Sequence, residues 1–209
     1  MTHRSICTAL TALLASVGAA SAQLVVVSDD FNAYTNGNLA SQGGWTATTV
    51  AATPLQVAGG ANKYVQFGTS GQDDYKAFSG PVSAVAGESM LSEFDITVSA
   101  AQATGDYFFH LSNPAGTTAN FYQRVFARSS GSGFQLGLTE LAGGGAVTTW
   151  GTTELAFGTT YSIAVTWNFI AGNNNDTFSL DVNGSNYLNH LWTSTTVEPA
   201  TLAAANLRQ

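Results

Sequence analysis

The sequence predicts an all-β protein that folds as an antiparallel two-sheet β-sandwich. Three observations lead to this class. Apolar and polar residues alternate along short stretches, as they do in strands with one buried face. The segments between these stretches are rich in Gly, Asn and Thr, which favour turns. Charged residues make up only 9% of the chain, so the good helix formers Lys, Glu and Arg are scarce.

Eight stretches qualify as strands. In chain order they are 24–27, 63–68, 90–99, 106–112, 121–128, 133–140, 160–169 and 176–184. The segment 171–176 ("AGNNND") and the pair Asn183-Gly184 fit tight turns before and after the last of these strands. Many short strands with no helices between them are typical of a sandwich or jelly roll.

The alternation also assigns side chains to the core. In the strand 90–99, the apolar side chains lie on one face and Glu93 and Asp95 lie on the other. The strands 160–169 and 176–184 show the same pattern. The residues that we expect to be buried are Phe94, Ile96, Tyr161, Ile163, Val165, Trp167, Phe178 and Leu180.

The first 22 residues have the pattern of a secretory signal peptide. A short basic start ending at Arg4 precedes an apolar run, and Ala20-Ser21-Ala22 is a small-residue cleavage site. The run is shorter than the roughly 20 residues that cross a bilayer, so we expect no membrane span after cleavage. The sequence therefore predicts a secreted or cell-surface protein with a single domain at 23–209. The only cysteine, Cys7, is lost with the leader.

The charge balance excludes one class of partner. Without Arg4 the chain keeps five basic residues against 13 acidic ones, a net charge of −8. Nucleic-acid binding depends on clustered Lys and Arg, and Arg124 and Arg128 are the only close basic pair. We therefore expect no nucleic-acid partner.

An ordered set of short motifs runs through most of the chain. They are "DDFNAYTNGNLASQGGW" (29–45), "GDYFFHL" (105–111), "RVFAR" (124–128), "GFQLGL" (133–138), "GTTYSIAVTW" (158–167), "NDTFSLDVN" (175–183) and "NLRQ" (206–209). This set resembles the secreted bacterial concanavalin A-like (LamG-like) jelly-roll modules of exported surface proteins with C-terminal sorting tails. The resemblance implies a concanavalin A-like jelly roll.

The resemblance also implies a further strand after the "LRQ" segment, which 23–209 lacks. We therefore expect the 24–31 strand either to have an unpaired edge or to be covered by another segment, such as 201–208. The alternative is that the sequence is a fragment of a longer gene product that supplies the strand. The string "VEPATLAAA" (197–205) resembles a sorting signal, but its first proline is missing and no apolar helix follows. It is interpreted as a loop and a strand.

The stretch 29–45 allows two interpretations. It fits the exit of the first strand and a loop to the next, with a turn at Gly43-Gly44 and Trp45 entering a sheet. It also fits a calcium site at Asp29 or Asp30, since loop carboxylates are calcium ligands and jelly rolls related by the resemblance often bind calcium.

The sequence contains no complete set of catalytic residues for a glycosidase or a serine hydrolase. Retaining glycosidases need two carboxylates about 5 Å apart, and the glucanase pattern Glu-x-Asp-x-(x)-Glu is incomplete at Glu93 and Asp95 because its second Glu is absent. No Gly-x-Ser-x-Gly motif is present, and the mature chain has only His110 and His190 as histidine bases or zinc ligands.

Glycan binding is better supported. Aromatic rings stack on sugars, and a few polar groups hold the hydroxyls. The candidate residues are Phe108 and His110 on one strand and Tyr122, Arg124, Phe126 and Arg128 on the next. In the opposite register, Tyr122 and Phe126 would belong to the core, and His110 would be either a surface residue or part of the groove.

The sequence thus predicts a non-catalytic module that binds a polysaccharide or cell-surface glycan or acts in adhesion. The alternatives are a glycoside hydrolase or lyase on the same scaffold, and a purely structural envelope protein.

Overall fold

The computed structural model describes residues 5–13, 24–49, 51, 53–68 and 70–209. Within these residues the chain forms sixteen strands and no helix, so no described helix could cross a membrane. The strands are β1 (Ser5–Leu13), β2 (Leu24–Val27), β3 (Gly37–Asn38), β4 (Trp45–Ala47), β5 (Gln56–Gly59), β6 (Lys63–Gln66), β7 (Asp74–Ser83), β8 (Ser89–Thr97), β9 (Asp106–Ser112), β10 (Phe121–Ser130), β11 (Gly133–Leu141), β12 (Thr149–Trp150), β13 (Thr160–Asn168), β14 (Thr177–Val182), β15 (Ser185–Leu191) and β16 (Thr201–Leu207).

Two large antiparallel sheets form the two layers of a sandwich. One has six strands in the order β15-β14-β13-β8-β1-β2, and the other has seven in the order β12-β11-β10-β9-β16-β7-β4. A small third sheet, β3-β5-β6, completes the fold. All of the strand pairs are antiparallel, which confirms the predicted fold class.

The core consists of apolar side chains from both large sheets. The alternation along β13 and β14 directs Ile163, Val165 and Trp167, and Phe178 and Leu180, into this core. Phe94 and Ile96 of β8 are buried as predicted. The prediction that Tyr161 is buried was wrong. Tyr161 is only partly buried, and its hydroxyl accepts a hydrogen bond from the backbone N–H of Ala156 at 2.8 Å.

The predicted turns hold the hairpins together. Asn183 and Gly184 have φ values of 51° and 75° and join β14 to β15, as a two-residue hairpin turn requires. Gly43 and Gly44 have φ values of 54° and 87°, and Trp45 begins β4 directly after them. The loop interpretation of 29–45 is therefore confirmed.

The strand 24–27 ends the six-stranded sheet. Its only strand partner among the described residues is β1, so its outer edge is unpaired. Of the two predicted alternatives, the unpaired edge is the one that the described residues show. The segment 201–208 does not cover it, because β16 lies in the other sheet between β7 and β9. β1 lies within residues 1–22, which the sequence predicts to be a signal peptide. Its place in the sheet does not test whether this segment is cleaved, so cleavage stays a prediction.

Candidate functional site

A β-bulge in β10 decides which side chains face outward. Gln123 has a φ of 47°, and the pairing with β9 shifts between Tyr122 and Val125. The Gln123 side chain points into the core, where its Oε1 accepts a hydrogen bond from Ser92 Oγ at 2.8 Å. After the bulge, every second residue of β10 lies on the outer face, and these residues are Arg124, Phe126 and Arg128.

Two of the predicted site residues lie on the core side instead. The ring of Tyr122 is 6.3 Å from that of Trp167, and the bulge places one extra residue of β10 between Tyr122 and Val125, opposite β9. The ring of Phe108 is 6.0 Å from that of Phe94. The shared face proposed for Phe108 and His110, and for Tyr122 and Arg124, was therefore wrong.

Tyr107 takes the place that the sequence assigned to Phe108. Its ring lies 5.4 Å from that of His110 and 5.4 Å from that of Phe126. Together with residues of neighbouring strands it forms an outer surface of the seven-stranded sheet, which we call the arginine face. This face consists of Phe121, Arg124, Arg128, Trp150 and Arg208 together with the buried rings of Tyr107 and Phe126 that they contact.

Each arginine of this face stacks on an aromatic ring. Arg124 Cζ is 3.8 Å from the centroid of the Tyr107 ring, and Arg208 Cζ is 4.0 Å from the same ring. Arg128 Cζ is 4.2 Å from the centroid of Trp150. Stacking of a guanidinium on a ring is favourable and fixes the orientation of the planar group.

The three arginines differ in their ionic partners. Arg208 pairs with Asp106 at 2.9 Å and with Asp73 at 3.5 Å. Arg128 donates from Nε and Nη2 to the neutral Oε1 of Gln135, at 3.1 and 2.9 Å. None of the ion pairs within the described residues involves Arg124 or Arg128.

His110 lies beneath this face and is only 2% exposed, so it is not a surface histidine. Its ring is 4.3 Å from that of Phe121, and neither ring nitrogen has a hydrogen-bond partner in the described structure. Burial, followed by the charges of Arg124 and Arg208, lowers the pKa of His110 to about 3. His110 is therefore neutral at ordinary pH and shielded from solvent.

A cavity of about 470 Å³ opens beside the arginine face at one end of the sandwich. Its apolar wall includes Phe67, Ile96 and Phe108, and Tyr107 and Arg208 line it as well. Tyr107 and Arg208 thus belong to both the face and the cavity.

The carboxylate of Asp29 is occupied by protein donors. Oδ1 accepts from the backbone N–H of Phe31 at 2.9 Å, and Oδ2 accepts from Trp45 Nε1 at 2.7 Å, Lys76 Nζ at 2.8 Å and the Tyr34 hydroxyl. Burial acts to raise the pKa of Asp29, but these hydrogen bonds, that of Lys76 first, hold it below its ordinary value.

Asp30 is exposed and accepts one hydrogen bond, from the backbone N–H of Asn32 at 3.0 Å. No group of three or more His, Cys, Asp or Glu side chains that could hold a metal ion occurs in the part of the chain that the structure describes. A calcium role for Asp29 or Asp30 stays a prediction.

The remaining candidates for catalysis are dispersed. Glu93 is exposed on β8, in the opposite sheet from the arginine face. His190 is buried and its Nε2 lies 2.6 Å from Glu140 Oε2. Trp150 and Arg208 were not singled out from the sequence, because β12 is only two residues long and Arg208 follows the end of β16.

Comparison with known proteins gives similarity in structure only. No protein-family model matches the chain, and no curated protein matches it. A carbohydrate-binding module from Bacillus subtilis shares 13% identity with a TM-score of 0.45, covering 82% of this chain and 91% of that one. An alginate lyase in complex with an alginate tetrasaccharide shares 15% identity with a TM-score of 0.49, covering 86% and 84%. A polysaccharide lyase family-7 alginate lyase shares 11% identity with a TM-score of 0.45, covering 97% and 85%. Similarity at this level bears on the fold and carries no argument about activity.

Proposed function

We propose that this protein is an exported module that binds a glycan chain along the arginine face without cleaving it. The observation that carries the proposal is the half-buried Trp150, which lies next to Phe126 with a ring distance of 6.0 Å and beside Arg128. An aromatic ring offers a flat apolar surface to a sugar ring, and the adjacent guanidinium supplies several donors to hydroxyl groups.

A binding role is favoured over catalysis by the state of the possible bases. A general base must reach the proton that it removes, and both ring nitrogens of His110 are buried. The carboxylates nearest the arginine face, Asp106 and Asp73, are engaged with Arg208. A glycoside hydrolase or lyase on this fold would need an accessible base on the face, and a purely structural protein would bind no glycan.

The test is to screen both 1–209 and 23–209 against a glycan array and to measure the affinity for the polymers that bind. We expect Trp150→Ala to weaken binding about tenfold, since stacking on a single ring contributes up to about 1.5 kcal/mol. Tyr64→Ala, which removes a half-buried ring from β6, is the matched control and should leave the affinity unchanged.

The same samples also test for cleavage, which we expect to be absent for every polymer that binds. The proposal fails if no glycan binds, if Trp150→Ala binds as tightly as the unmodified protein, or if new chain ends accumulate during incubation.

A further inference from the structure

The positive charge of this acidic protein is concentrated on the arginine face. The chain has six Lys and Arg residues against 13 Asp and Glu, a net charge of −7. Three of the six are Arg124, Arg128 and Arg208 of this face. The screening length is about 8 Å at physiological ionic strength, so the local groups determine what binds there more than the net charge does.

Arg124 and Arg128 are held in place without a neutralising partner. Both side chains are half-buried, and Arg124 Nε is buried with no hydrogen-bond acceptor among the described residues. A buried charge that lacks a counterion is costly, and a carboxylate that accepts from the guanidinium fork offsets this cost. Arg208 differs because Asp106 and Asp73 already neutralise it.

The spacing of the two groups sets the size of the ligand. Arg124 and Arg128 are four residues apart on β10, where the pairing with β11 is regular from one to the other. Four steps along a strand span about 13 Å. This is the spacing of the two Cα atoms. The Arg124 guanidinium stacks on Tyr107 and that of Arg128 stacks on Trp150, so we expect each to bind a separate carboxylate, on different sugars of one chain.

We propose, on the basis of the proposed function, that the glycan is an acidic polysaccharide whose uronate carboxylates are bound by Arg124 and Arg128. The planar fork of each guanidinium matches a carboxylate in a bidentate arrangement. The half-buried Trp150 then contacts a sugar that carries or lies between the two carboxylates. The site selects a polymer over a single uronic acid, because only a polymer engages both arginines.

The experiment compares a polyuronate with the same polymer after its carboxyl groups have been reduced to alcohols. We expect 23–209 to bind the polyuronate at least tenfold more tightly than the reduced polymer. Most of that preference should be lost at 1 M salt, where the screening length falls to about 3 Å. A monomeric uronic acid should bind at least tenfold more weakly than an oligomer.

Single substitutions show which basic residues cause the preference for the polyuronate. Arg128→Gln should reduce the affinity for the polyuronate at least tenfold and the affinity for the reduced polymer much less, because only hydrogen bonds to hydroxyl groups are lost there. Lys63→Gln, which changes the net charge equally at a site on β6, should have no effect. Arg128→Lys should restore only part of the affinity, because an ammonium group lacks the fork. Arg124→Gln should behave as Arg128→Gln does.

The outcomes separate this inference from the proposed function. Equal affinity for the polyuronate and the reduced polymer, with Trp150→Ala impairing both, would overturn the carboxylate assignment and leave glycan binding intact. Equal losses in Arg128→Gln and Lys63→Gln, or equal affinity for dextran sulfate, would also overturn it. No binding to any glycan would overturn both. The comparison of the two polymers needs no variant, so it remains decisive even if a substitution impairs folding.

Discussion

The Asp29 side chain accepts four hydrogen bonds, two from nearby residues and two from strands farther along the chain. Lys76 comes from β7, Trp45 from β4, and Phe31 and Tyr34 from the loop that follows β2. The side chain of Asp29 is 6% exposed, so these partners replace the water that it loses. One carboxylate therefore fixes the path of the loop 29–45 against the edge of the seven-stranded sheet.

Replacing Asp29 tests this role. We expect Asp29→Asn to lower the free energy of unfolding by about 2–3 kcal/mol, since charge-assisted hydrogen bonds are lost and Lys76 is left unpaired. The folded-state pKa of Asp29 is below its ordinary value. Its contribution is therefore fully present above about pH 4 and is lost as the pH falls below that point. Denaturant unfolding at pH 7 and at pH 3 measures both effects.

Asp30→Asn is the control, because Asp30 is exposed and makes one local hydrogen bond. We expect it to be within about 0.5 kcal/mol of the unmodified protein. Thermal unfolding with calcium and with a chelator completes the test. A transition that calcium raises in the unmodified protein but not in Asp29→Asn would assign the carboxylate to a metal instead.

The outer face of β10 could be predicted only in part from the sequence. Alternation correctly placed Arg124, Phe126 and Arg128 together, because the pairing of β10 with β11 is regular between them. It failed at Tyr122 because the bulge at Gln123 is stabilised by a buried amide, whose partner Ser92 is on another sheet. It failed at Phe108 because Tyr107, Phe108 and Phe109 are consecutive aromatics, so hydrophobicity cannot distinguish their faces.

At the scale of elements, a buried Glu140–His190 contact joins β11 to β15 and to the segment that follows. Glu140 Oε2 contacts His190 Nε2 at 2.6 Å, and Glu140 Oε1 accepts from the backbone N–H groups of Thr193 and Ser194 at 2.8 and 2.7 Å. Thr149 Oγ1 lies 2.7 Å from His190 Nδ1. These contacts link the edges of the two large sheets, since β11 and β15 belong to different ones.

We expect Glu140→Gln to lower the free energy of unfolding by about 3 kcal/mol, because it leaves buried donors with a weaker acceptor. Burial acts to raise the pKa of Glu140, but the hydrogen bond from His190 and those of Thr193 hold it at about 2. The stabilisation is therefore present above pH 4.5 and declines as the pH falls towards 2. Calorimetry should show a lower Tm by about 8 °C at pH 7.

Glu154→Gln is the matched control. Glu154 is exposed, and its Oε1 accepts from Ser132 Oγ at 3.0 Å. We expect a Tm within about 1 °C of the unmodified protein. Equal effects of the two substitutions would show that the buried pair contributes nothing specific.

Most strands were predictable within a few residues, because β8, β10, β11, β13 and β14 each have a clear apolar face. β7 was missed because Gly80 and Pro81 interrupt its pattern, and proline is uncommon inside strands. β15 was missed because "SNYLNHL" lacks β-branched residues, although the turn at Asn183-Gly184 indicated that a partner strand should follow. Short edge strands such as β12 have too few residues to show any period.

At the scale of the whole molecule, β1 occupies an interior position in the six-stranded sheet. It pairs with β8 from Ser5–Ile96 to Leu13–Ser89, and with β2 from Leu10–Val27 to Ala12–Leu24. The sequence predicts that signal peptidase removes this segment. Cleavage would leave β8 with an open edge and β2 without a strand partner, and Val25 of β2 is already 54% exposed.

We therefore expect 23–209 to be less stable than uncleaved 1–209. The loss of one strand from the sheet should lower Tm by on the order of 10 °C, and the open edge of β8 should promote association. Calorimetry and light scattering on the two forms, both produced without export, measure these effects. A synthetic peptide of residues 5–13 added to 23–209 should raise its Tm. A monomeric 23–209 as stable as 1–209 would contradict this prediction.

The central place of β16 in the seven-stranded sheet has a consequence for the order of events during synthesis. β16 pairs with β7 through Leu207–Asp74 and with β9 through Leu207–Phe109, so it joins two strands that are made much earlier. At about 5–20 residues per second, the ribosome adds residues 201–207 on the order of ten seconds after β9. During that interval β16 is not available to pair with β7 and β9, and Arg208 is not yet present to stack on Tyr107. The nascent chain therefore acquires the complete arginine face only after almost all of the described residues have been translated.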